Sequence, residues 1–197
     1  MFTGIIQHLG AIKAKHTIGG GICFSIDAGK LHQHLTIGDS IAINGVCLTV
    51  TQKRARFIEV EAVEETLKKT TLGALRMNSK INCELPLRPN DFLGGHFVLG
   101  HVDCVGTVIH IEQRPTSRLV TFSFSKEFTP YLIPRGSVAI DGVSLTVVDI
   151  VKNTFSVSII PHTFANTNFR FFKFSTLVNL EFDMLGKYVV QMMKRKP

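Results

Sequence analysis

Small polar side chains alternate with apolar ones in two similar stretches of the sequence. Cys47 and Thr49 occupy alternate positions of the first stretch, and Ser144 and Thr146 do so in the second. Because successive side chains of a strand point to opposite faces, each stretch predicts one apolar face and one short polar column. Such a column can exchange hydrogen bonds with a planar heterocycle. A solvated outer face explains the same residues, and from the residues alone we favour that interpretation.

A repeat relates the two stretches. Ser40–Val50 aligns with Ser137–Val147, which places Cys47 opposite Ser144. The same sequence offset also pairs Glu84 with Glu181. A register that holds over most of each half indicates two homologous domains in tandem. A linker that contains Pro and Gly separates them. The expected units are a first domain, a second domain and a C-terminal segment: residues 1–93, 97–183 and 184–197.

Composition and spacing predict an all-β architecture. β-branched residues dominate short stretches bounded by turn-forming or charged residues, as is typical of strands. Such stretches are residues 41–51, 57–63, 105–111 and 119–124, and residues 1–7 are interpreted as a strand that begins at the first residue. Short helices are expected after Glu64 and near residues 163–168. Many short strands favour a closed barrel in each domain, because closure leaves no exposed edge.

The segment after the second domain has no counterpart in the first. Its apolar residues recur at helical spacing, which predicts an amphipathic helix from Met184 to Met193. Asp183 stands at the N-cap position, and basic residues at the other end suit the helix dipole. The apolar stripe must be covered either by its own barrel or by other copies of the chain, and we favour association between copies.

Overall composition excludes several classes of function. The formal net charge is +7, but the basic residues are scattered apart from Lys194–Lys196, so nucleic-acid binding is not expected. Apolar runs are too short for a membrane span and no basic leader begins the chain, which predicts a cytoplasmic protein without a membrane partner. The four cysteines lack zinc spacing, and His32 and His34 suit a surface turn, so no metal is expected.

The two halves differ where chemistry could occur. Three aligned pairs change character: Ile5 and His101, Cys47 and Ser144, and Gly38 and Arg135. A thiol in one half and a histidine with a hydroxyl in the other indicate two related pockets with different tasks on similar ligands. Drift after duplication explains the same differences, and the residues do not decide between these interpretations.

A series of short motifs resembles the riboflavin synthase family. In order along the chain, the motifs are Met1–Ile6, Asn44–Val50, Glu65–Leu67, Gly94–Asp103, Asp141–Val147, Asn179–Asp183 and Lys187–Val189. Each motif alone is weak. Together, in this order and from Met1 to about Met193, they make the resemblance specific.

The resemblance implies a fold and a reaction. Each half would be a six-stranded Greek-key barrel that binds one 6,7-dimethyl-8-ribityllumazine, and the C-terminal helix would hold a homotrimer together. The N-terminal barrel of one subunit and the C-terminal barrel of another would form the active site. A four-carbon unit would pass between two stacked lumazines, giving riboflavin and 5-amino-6-(D-ribitylamino)uracil, in a transferase reaction of riboflavin biosynthesis without metal or cofactor. Lumazine synthase is a further implied partner.

The resemblance also assigns roles to individual residues. The implied catalytic residues are His101, Ser144, Thr146, Cys47, Ser40 and Asp183. His101 would transfer a proton, with Ser144 beside it on the second barrel, and Cys47 would lie near the electrophilic carbon of the lumazine. A strand-end histidine, an inert core thiol and a helix N-cap are the alternatives for His101, Cys47 and Asp183.

A longer set of residues would contact the substrates. Backbone groups around Gly4 and Gly100 would bind the pyrimidine edge, and two segments that lead into the short helices would contact the ribityl chains. The implied binding residues are Phe2, Thr3, Gly4, Ile5, Ile6, Cys47, Leu48, Thr49, Glu61, Ala62, Val63, Glu64, Glu65, Thr66, Gly100, His101, Val102, Arg135, Ser144, Leu145, Thr146, Ser158, Ile159, Ile160, Pro161, His162 and Thr163. His162 departs from the family pattern, in which an acidic residue is expected.

Two other functions fit the same fold. A lumazine- or flavin-carrying protein that acts as an optical antenna needs no catalysis, and fold alone does not separate carrier from enzyme. Retention of His101, Ser144, Thr146 and Cys47 favours the enzyme. A flavin-binding reductase barrel is the third class, but no Gly-rich phosphate loop follows the barrels.

Overall fold

The structure, a computed structural model, describes residues 1–194 and contains two closed antiparallel barrels of six strands each. The first has the strand order β1-β2-β5-β4-β3-β6. Its strands are β1 (His8–Ile18), β2 (Gly21–Asp27), β3 (Ser40–Ile43), β4 (Val46–Lys53), β5 (Ile58–Ala62) and β6 (Lys80–Glu84).

The second barrel repeats the first, with the strand order β10-β11-β8-β7-β12-β9. Its strands are β7 (Cys104–Gln113), β8 (Arg118–Ser123), β9 (Ser137–Ile140), β10 (Val143–Val151), β11 (Thr154–Ile159) and β12 (Leu177–Phe182). The all-β prediction of two tandem six-stranded Greek-key barrels with a C-terminal helix is confirmed. The boundaries at 93 and 97 stay a prediction, since both positions lie in the segment between the barrels.

Helices occur at equivalent places in the two halves. The α-helices are α1 (Glu64–Lys69), α2 (Pro161–Asn166) and α3 (Met184–Lys194), and short 3₁₀ helices cover Gly29–His34, Thr71–Ala74, Lys126–Tyr131 and Asn168–Phe171. The first two α-helices confirm the prediction, and Pro161 occupies the first turn, where a missing N–H costs nothing. Asp183 caps α3, because its Oδ1 accepts a hydrogen bond from the Leu185 amide at 3.0 Å.

Two predicted strands are wrong in their extent. Residues 1–7 lie outside the barrels, and Phe2 forms just an isolated bridge to Val98. Residues 41–51 form two strands rather than one, because Asn44 and Gly45 reverse the chain with φ angles of 46° and 74°. Asn-Gly is a strong two-residue hairpin signal, since both residues tolerate positive φ.

Each barrel has its own apolar core, and the predicted alternation along β4 is confirmed. Val46, Leu48 and Val50 are buried in the first barrel, whereas Cys47 is half-buried and Thr49 exposed on the opposite face. The first core is mainly aliphatic. The second contains stacked and edge-to-face phenylalanine rings. Such ring pairs stabilise the core beyond the burial of their apolar surface, because aromatic rings prefer these arrangements.

The barrels meet across an approximate twofold relation between their hairpins. A Cβ on Gly45 would lie 2.5 Å from the amide nitrogen of Gly142, so both positions exclude side chains. Asn179 donates to the Asn44 carbonyl at 2.8 Å, and the equivalent Asn82 donates to the Asp141 carbonyl at 2.9 Å. These reciprocal bonds fix how the two barrels are oriented.

Helix α3 leaves most of its apolar stripe uncovered within one chain. Lys187 attaches the helix to the second barrel through an ion pair with Asp103, at 2.6 Å. Leu185, Tyr188 and Val189 are each more than half exposed. Of the predicted basic tail, Arg195 and Lys196 lie outside the described residues, as does the end of the predicted unit 184–197. No helix within residues 1–194 is long and apolar enough to span a membrane.

Candidate active site

Each polar column is bordered by a loop from the other half of the chain. The Ser144 amide donates a hydrogen bond to the Gly4 carbonyl at 2.8 Å, and the Cys47 amide donates to the Gly100 carbonyl at 2.9 Å. We call residues 1–7 the N-terminal segment and residues 85–103 the linker segment. The N-terminal segment therefore borders the second barrel, while the Gly100 part of the linker segment borders the first.

Glycine is required at both crossing points. Gly4 and Gly100 have φ angles of 78° and 80°, which residues with side chains rarely adopt. A Cβ on Gly4 would lie 2.6 Å from the Ser144 Cβ, and one on Gly100 would lie 2.5 Å from the Cys47 Cβ. The backbones can therefore approach each other closely beside each column, which leaves main-chain groups of both segments next to the polar side chains.

Two buried glutamates hold these segments in place. Glu84 accepts hydrogen bonds from the Thr3 amide (2.7 Å), the Thr3 hydroxyl (2.7 Å) and the Gly4 amide (3.1 Å). Glu181 accepts from the amides of Leu99, Gly100 and His101 at 2.6, 2.9 and 3.0 Å. Burial raises the pKa of both carboxyl groups, and these hydrogen bonds oppose the increase.

No role is predicted for these two glutamates from the sequence. The sequence pairs them across the repeat, and each lies at or next to the end of a strand whose residues are buried except for the first. A charged residue at such a position needs hydrogen-bond donors, which is the signal that could have revealed the role. The sequence alone did not show which backbone would supply those donors.

A histidine without a predicted role lies beside Ser144. The Nδ1 atom of His96 is 2.7 Å from the Ser144 Oγ, and the His96 amide donates to the Thr3 carbonyl at 3.1 Å. The side chain is buried, and its Nε2 atom has no hydrogen-bond partner within the described residues. Burial lowers the pKa of His96, while the negative charge of Asp183 acts to raise it. Within one chain, His96 rather than His101 is therefore the histidine bonded to Ser144.

The other predicted catalytic residues fall into two groups. Ser40 is the cross-strand partner of Thr49 in the first barrel, and Cys47 lies on the same strand as Thr49. His101 is exposed, and its backbone is held beside this first group by Glu181. The second group comprises Ser144 and Thr146, which pairs with Ser137 across the strands. His96 bonds to Ser144, and the charge of Asp183 acts on His96.

Several predicted binding residues have structural positions. Phe2 is fully buried in a small apolar cluster between the barrels, and Thr3 is held by Glu84. Leu48 and Ile159 belong to the barrel cores. Arg135 is exposed at a turn with φ 65°, the conformation that its counterpart Gly38 adopts in the first half.

The first predicted ribityl segment and one residue of the second line separate open cavities. Residues 61–65 line a cavity of about 530 Å³ in the first half. Of the second segment, His162 lines a cavity of about 440 Å³, together with Asn166 of α2 and first-half residues that include Ile6 and Lys30. Both volumes suit a small polar ligand group. Within residues 1–194, no three His, Cys, Asp or Glu side chains are grouped as a metal site.

Comparison with known proteins first shows the class of protein to which the chain belongs. A family model described as the lumazine binding domain matches the chain twice, over residues 3–86 and 99–183. The solved structure titled "Crystal structure of LumP complexed with riboflavin" has the same fold, with a TM-score of 0.85 and 23% identity over 92% of this chain and 99% of that chain.

Relatives that match over almost their full length then show which family of lumazine-binding proteins this is. The riboflavin synthase of Actinobacillus pleuropneumoniae is 43% identical over 100% of this chain and 92% of its own length. That of Bacillus amyloliquefaciens is 38% identical over 99% of this chain and 91% of its own length. The chain belongs to the riboflavin synthase family of tandem lumazine-binding proteins.

Proposed function

We propose that this chain is a transferase of riboflavin biosynthesis. It passes a four-carbon unit between two molecules of 6,7-dimethyl-8-ribityllumazine and releases riboflavin and 5-amino-6-(D-ribitylamino)uracil. The observation that carries the proposal is full-length similarity of 43% identity to a riboflavin synthase. The duplicated but chemically different columns around Cys47 and Ser144 support it, because donor and acceptor lumazines need different treatment.

Each barrel binds one lumazine beside its polar column. Backbone groups near Gly4 and Gly100 bind the pyrimidine edges, and the cavities beside α1 and α2 take the ribityl chains. The domain boundaries at 1–93 and 97–183 follow this division, since each domain supplies one barrel with its polar column and also the glycine backbone that borders the other column. Glycine at the crossing points supports this arrangement, because main-chain atoms there lie within contact distance of Cys47 and Ser144.

The chemistry needs positioning more than strong catalytic groups. The methyl group on C7 of the lumazine is acidic, since its carbanion is delocalised into the ring, so a modest base suffices. His101 is exposed beside the first column, where it can exchange this proton with a bound ring. Two rings held face to face react without the entropic cost of an encounter, which contributes several kcal/mol to lowering the barrier.

Association of chains completes the proposed site. The exposed stripe of Leu185, Tyr188 and Val189 needs an apolar partner, and packing of α3 helices in a homotrimer supplies one. The N-terminal barrel of one subunit then faces the C-terminal barrel of its neighbour. A cytoplasmic location and association with lumazine synthase complete the proposal, supported by the family's role in riboflavin biosynthesis.

A carrier of lumazine or flavin is the second candidate function, because LumP shares the fold and binds riboflavin in its crystal structure. Incubation of the purified chain with the lumazine alone separates the two. The enzyme releases riboflavin and the ribitylaminouracil in equal amounts, measured by fluorescence and chromatography. Tight binding of the lumazine without either product would establish the carrier instead.

A further inference from the structure

The pair formed by His96 and Ser144 is rigid and incompletely hydrogen-bonded. The His96 backbone is held by Thr3, which is itself held by Glu84, and the Ser144 backbone is held by Gly4. His96 is 8% exposed, and its Nε2 atom has no partner within the described residues. Buried polar atoms in native proteins are nearly always paired, so an unpaired ring nitrogen beside a candidate site requires an explanation.

The neighbourhood of His96 determines the state of its ring. A doubly protonated ring would carry a buried N–H at Nε2 without an acceptor, which is costly, and so the ring is neutral. Of the two neutral forms, the one with its proton on Nδ1 leaves a bare nitrogen at Nε2 rather than an unpaired N–H. A buried unpaired donor is rarer than a buried unpaired acceptor, which favours the proton on Nδ1.

This tautomer fixes the direction of the Ser144 hydroxyl. If Nδ1–H donates to Oγ, the hydroxyl proton cannot point at His96 and is free for another acceptor. Ser144 lies on the outward face of β10 beside the N-terminal segment, where the second barrel binds its ring under the proposed function. A hydroxyl that is constrained to donate stabilises the negative charge that develops on the ring bound at the second barrel during the four-carbon transfer.

We propose that His96 is a positioning residue of the second barrel, whose Nδ1–H holds the Ser144 hydroxyl as a hydrogen-bond donor toward the bound lumazine. The inference rests on the proposed function. His96 does not touch the ring and transfers no proton. It acts through Ser144, and it differs in this respect from His101.

A double-mutant cycle with the full-length chain tests the proposal. Ser144→Ala removes the donor and lowers kcat about a hundredfold, and His96→Phe misorients the donor and lowers kcat at least about tenfold. The double variant is no slower than Ser144→Ala, because His96 has nothing left to position. Affinity for the lumazine, measured by fluorescence titration, changes little in each variant. Multiplied losses in the double variant would overturn the proposal.

A conservative variant separates positioning from packing. Asn at position 96 can place an amide donor where Nδ1 stood, so His96→Asn keeps kcat within about threefold of the wild type and well above His96→Phe. Equal losses in the two variants would show that the imidazole ring itself is needed, and would overturn the proposal. Unfolding in urea is measured in parallel for each variant.

The ring tautomer is a readout independent of turnover. Long-range ¹H–¹⁵N spectra of the ¹⁵N-labelled chain are expected to show that the His96 ring carries its proton on Nδ1. The His96 signals are assigned as those that disappear from the spectrum of His96→Asn. A proton on Nε2 would overturn the proposal even in an active enzyme. Absence of turnover in the wild type would instead overturn the proposed function, and the spectrum would still test the hydrogen bond to Ser144.

Discussion

The Ser144 amide donates to the Gly4 carbonyl across 140 positions of sequence, at 2.8 Å, and Cys47 makes the equivalent bond to Gly100. The two halves of the chain therefore exchange loops, and each polar column is completed by backbone from the other half. This exchange makes the two pockets interdependent. Changes in the N-terminal segment are expected to affect the second barrel, and changes around Gly100 to affect the first.

Gly95→Ala tests the close packing of the linker segment. A Cβ at this position would overlap the Thr3 carbonyl oxygen and lie 2.8 Å from the Ser144 Cβ, so backbone must shift. We expect the free energy of unfolding in urea to fall by about 1–3 kcal/mol, with loss of turnover. Gly94→Ala is the matched control, because its Cβ would meet just the Ile5 side chain at 3.5 Å. Similar effects of the two substitutions would contradict this packing.

Glu181→Gln tests the anchoring of the Gly100 loop. The new amide group would face backbone N–H groups that now donate to a carboxylate, which costs about 1–3 kcal/mol. Hydrogen exchange is expected to accelerate at residues 99–101, with a loss of turnover. Glu112→Gln is the control, since Glu112 pairs with Arg114 in solvent. Unchanged exchange in Glu181→Gln would refute the anchoring role.

His101→Gln tests proton transfer in the first site. The glutamine keeps polarity and approximate length but cannot act as a base at neutral pH. Turnover is expected to fall about 10²-fold or more, while lumazine affinity changes by much less. Equal losses of kcat and of affinity would show that His101 binds the substrate rather than transferring a proton.

The pH dependence of stability tests the buried carboxyl group between the barrels. Burial raises the pKa of Asp141 from its ordinary 3.8 to about 7. The Asp141 carboxyl group therefore ionises at lower pH in the unfolded chain than in the folded one. Its contribution to the free energy of unfolding is full below about pH 4 and is lost as the pH rises through about 7. Urea unfolding from pH 4.5 to 8 is expected to show this decline.

The first half supplies the control for that measurement. In the second half, the Asn168 Nδ2 atom donates to the Asp141 Oδ2 atom at 2.7 Å. The first half has Asn44 in place of Asp141 and Thr71 in place of Asn168. The double variant Asp141→Asn/Asn168→Thr reproduces the first-half pair and lacks the buried ionisable group. Its stability is expected to decline less between pH 4.5 and 8. An unchanged decline would assign the pH dependence to other groups.

Removal of α3 tests the oligomeric state. A chain that ends at Asp183 lacks the exposed stripe of Leu185, Tyr188 and Val189 and is expected to give folded monomers by light scattering. Val189→Lys in the full chain, which places a charge on the stripe, is expected to weaken association without removing the ion pair of Lys187. A mass that is unchanged on truncation would refute the role of the helix.

Features set by local periodicity could be predicted from the sequence. The repeat predicts two domains, alternation predicts that Cys47 and Ser144 lie on outward faces, and the position of Asp183 before the apolar helical pattern predicts a cap. The exchange of loops could not be predicted, because it joins residues far apart in the chain, such as Gly4 and Ser144, and glycine spacing does not identify a partner. His96 was missed for the same reason, since its role comes from a contact with Ser144 that no periodicity reveals.

Co-expression of two impaired variants tests most directly whether pockets of neighbouring copies form the active site. Ser144→Ala impairs the second barrel and His101→Gln impairs the first site, so each variant alone converts the lumazine slowly. If an active site joins different barrels of two chains, mixed oligomers contain intact pairs, and we expect riboflavin formation to rise well above the sum of the separate variants. Activity that never exceeds that sum would show that each chain works alone and would contradict the shared site.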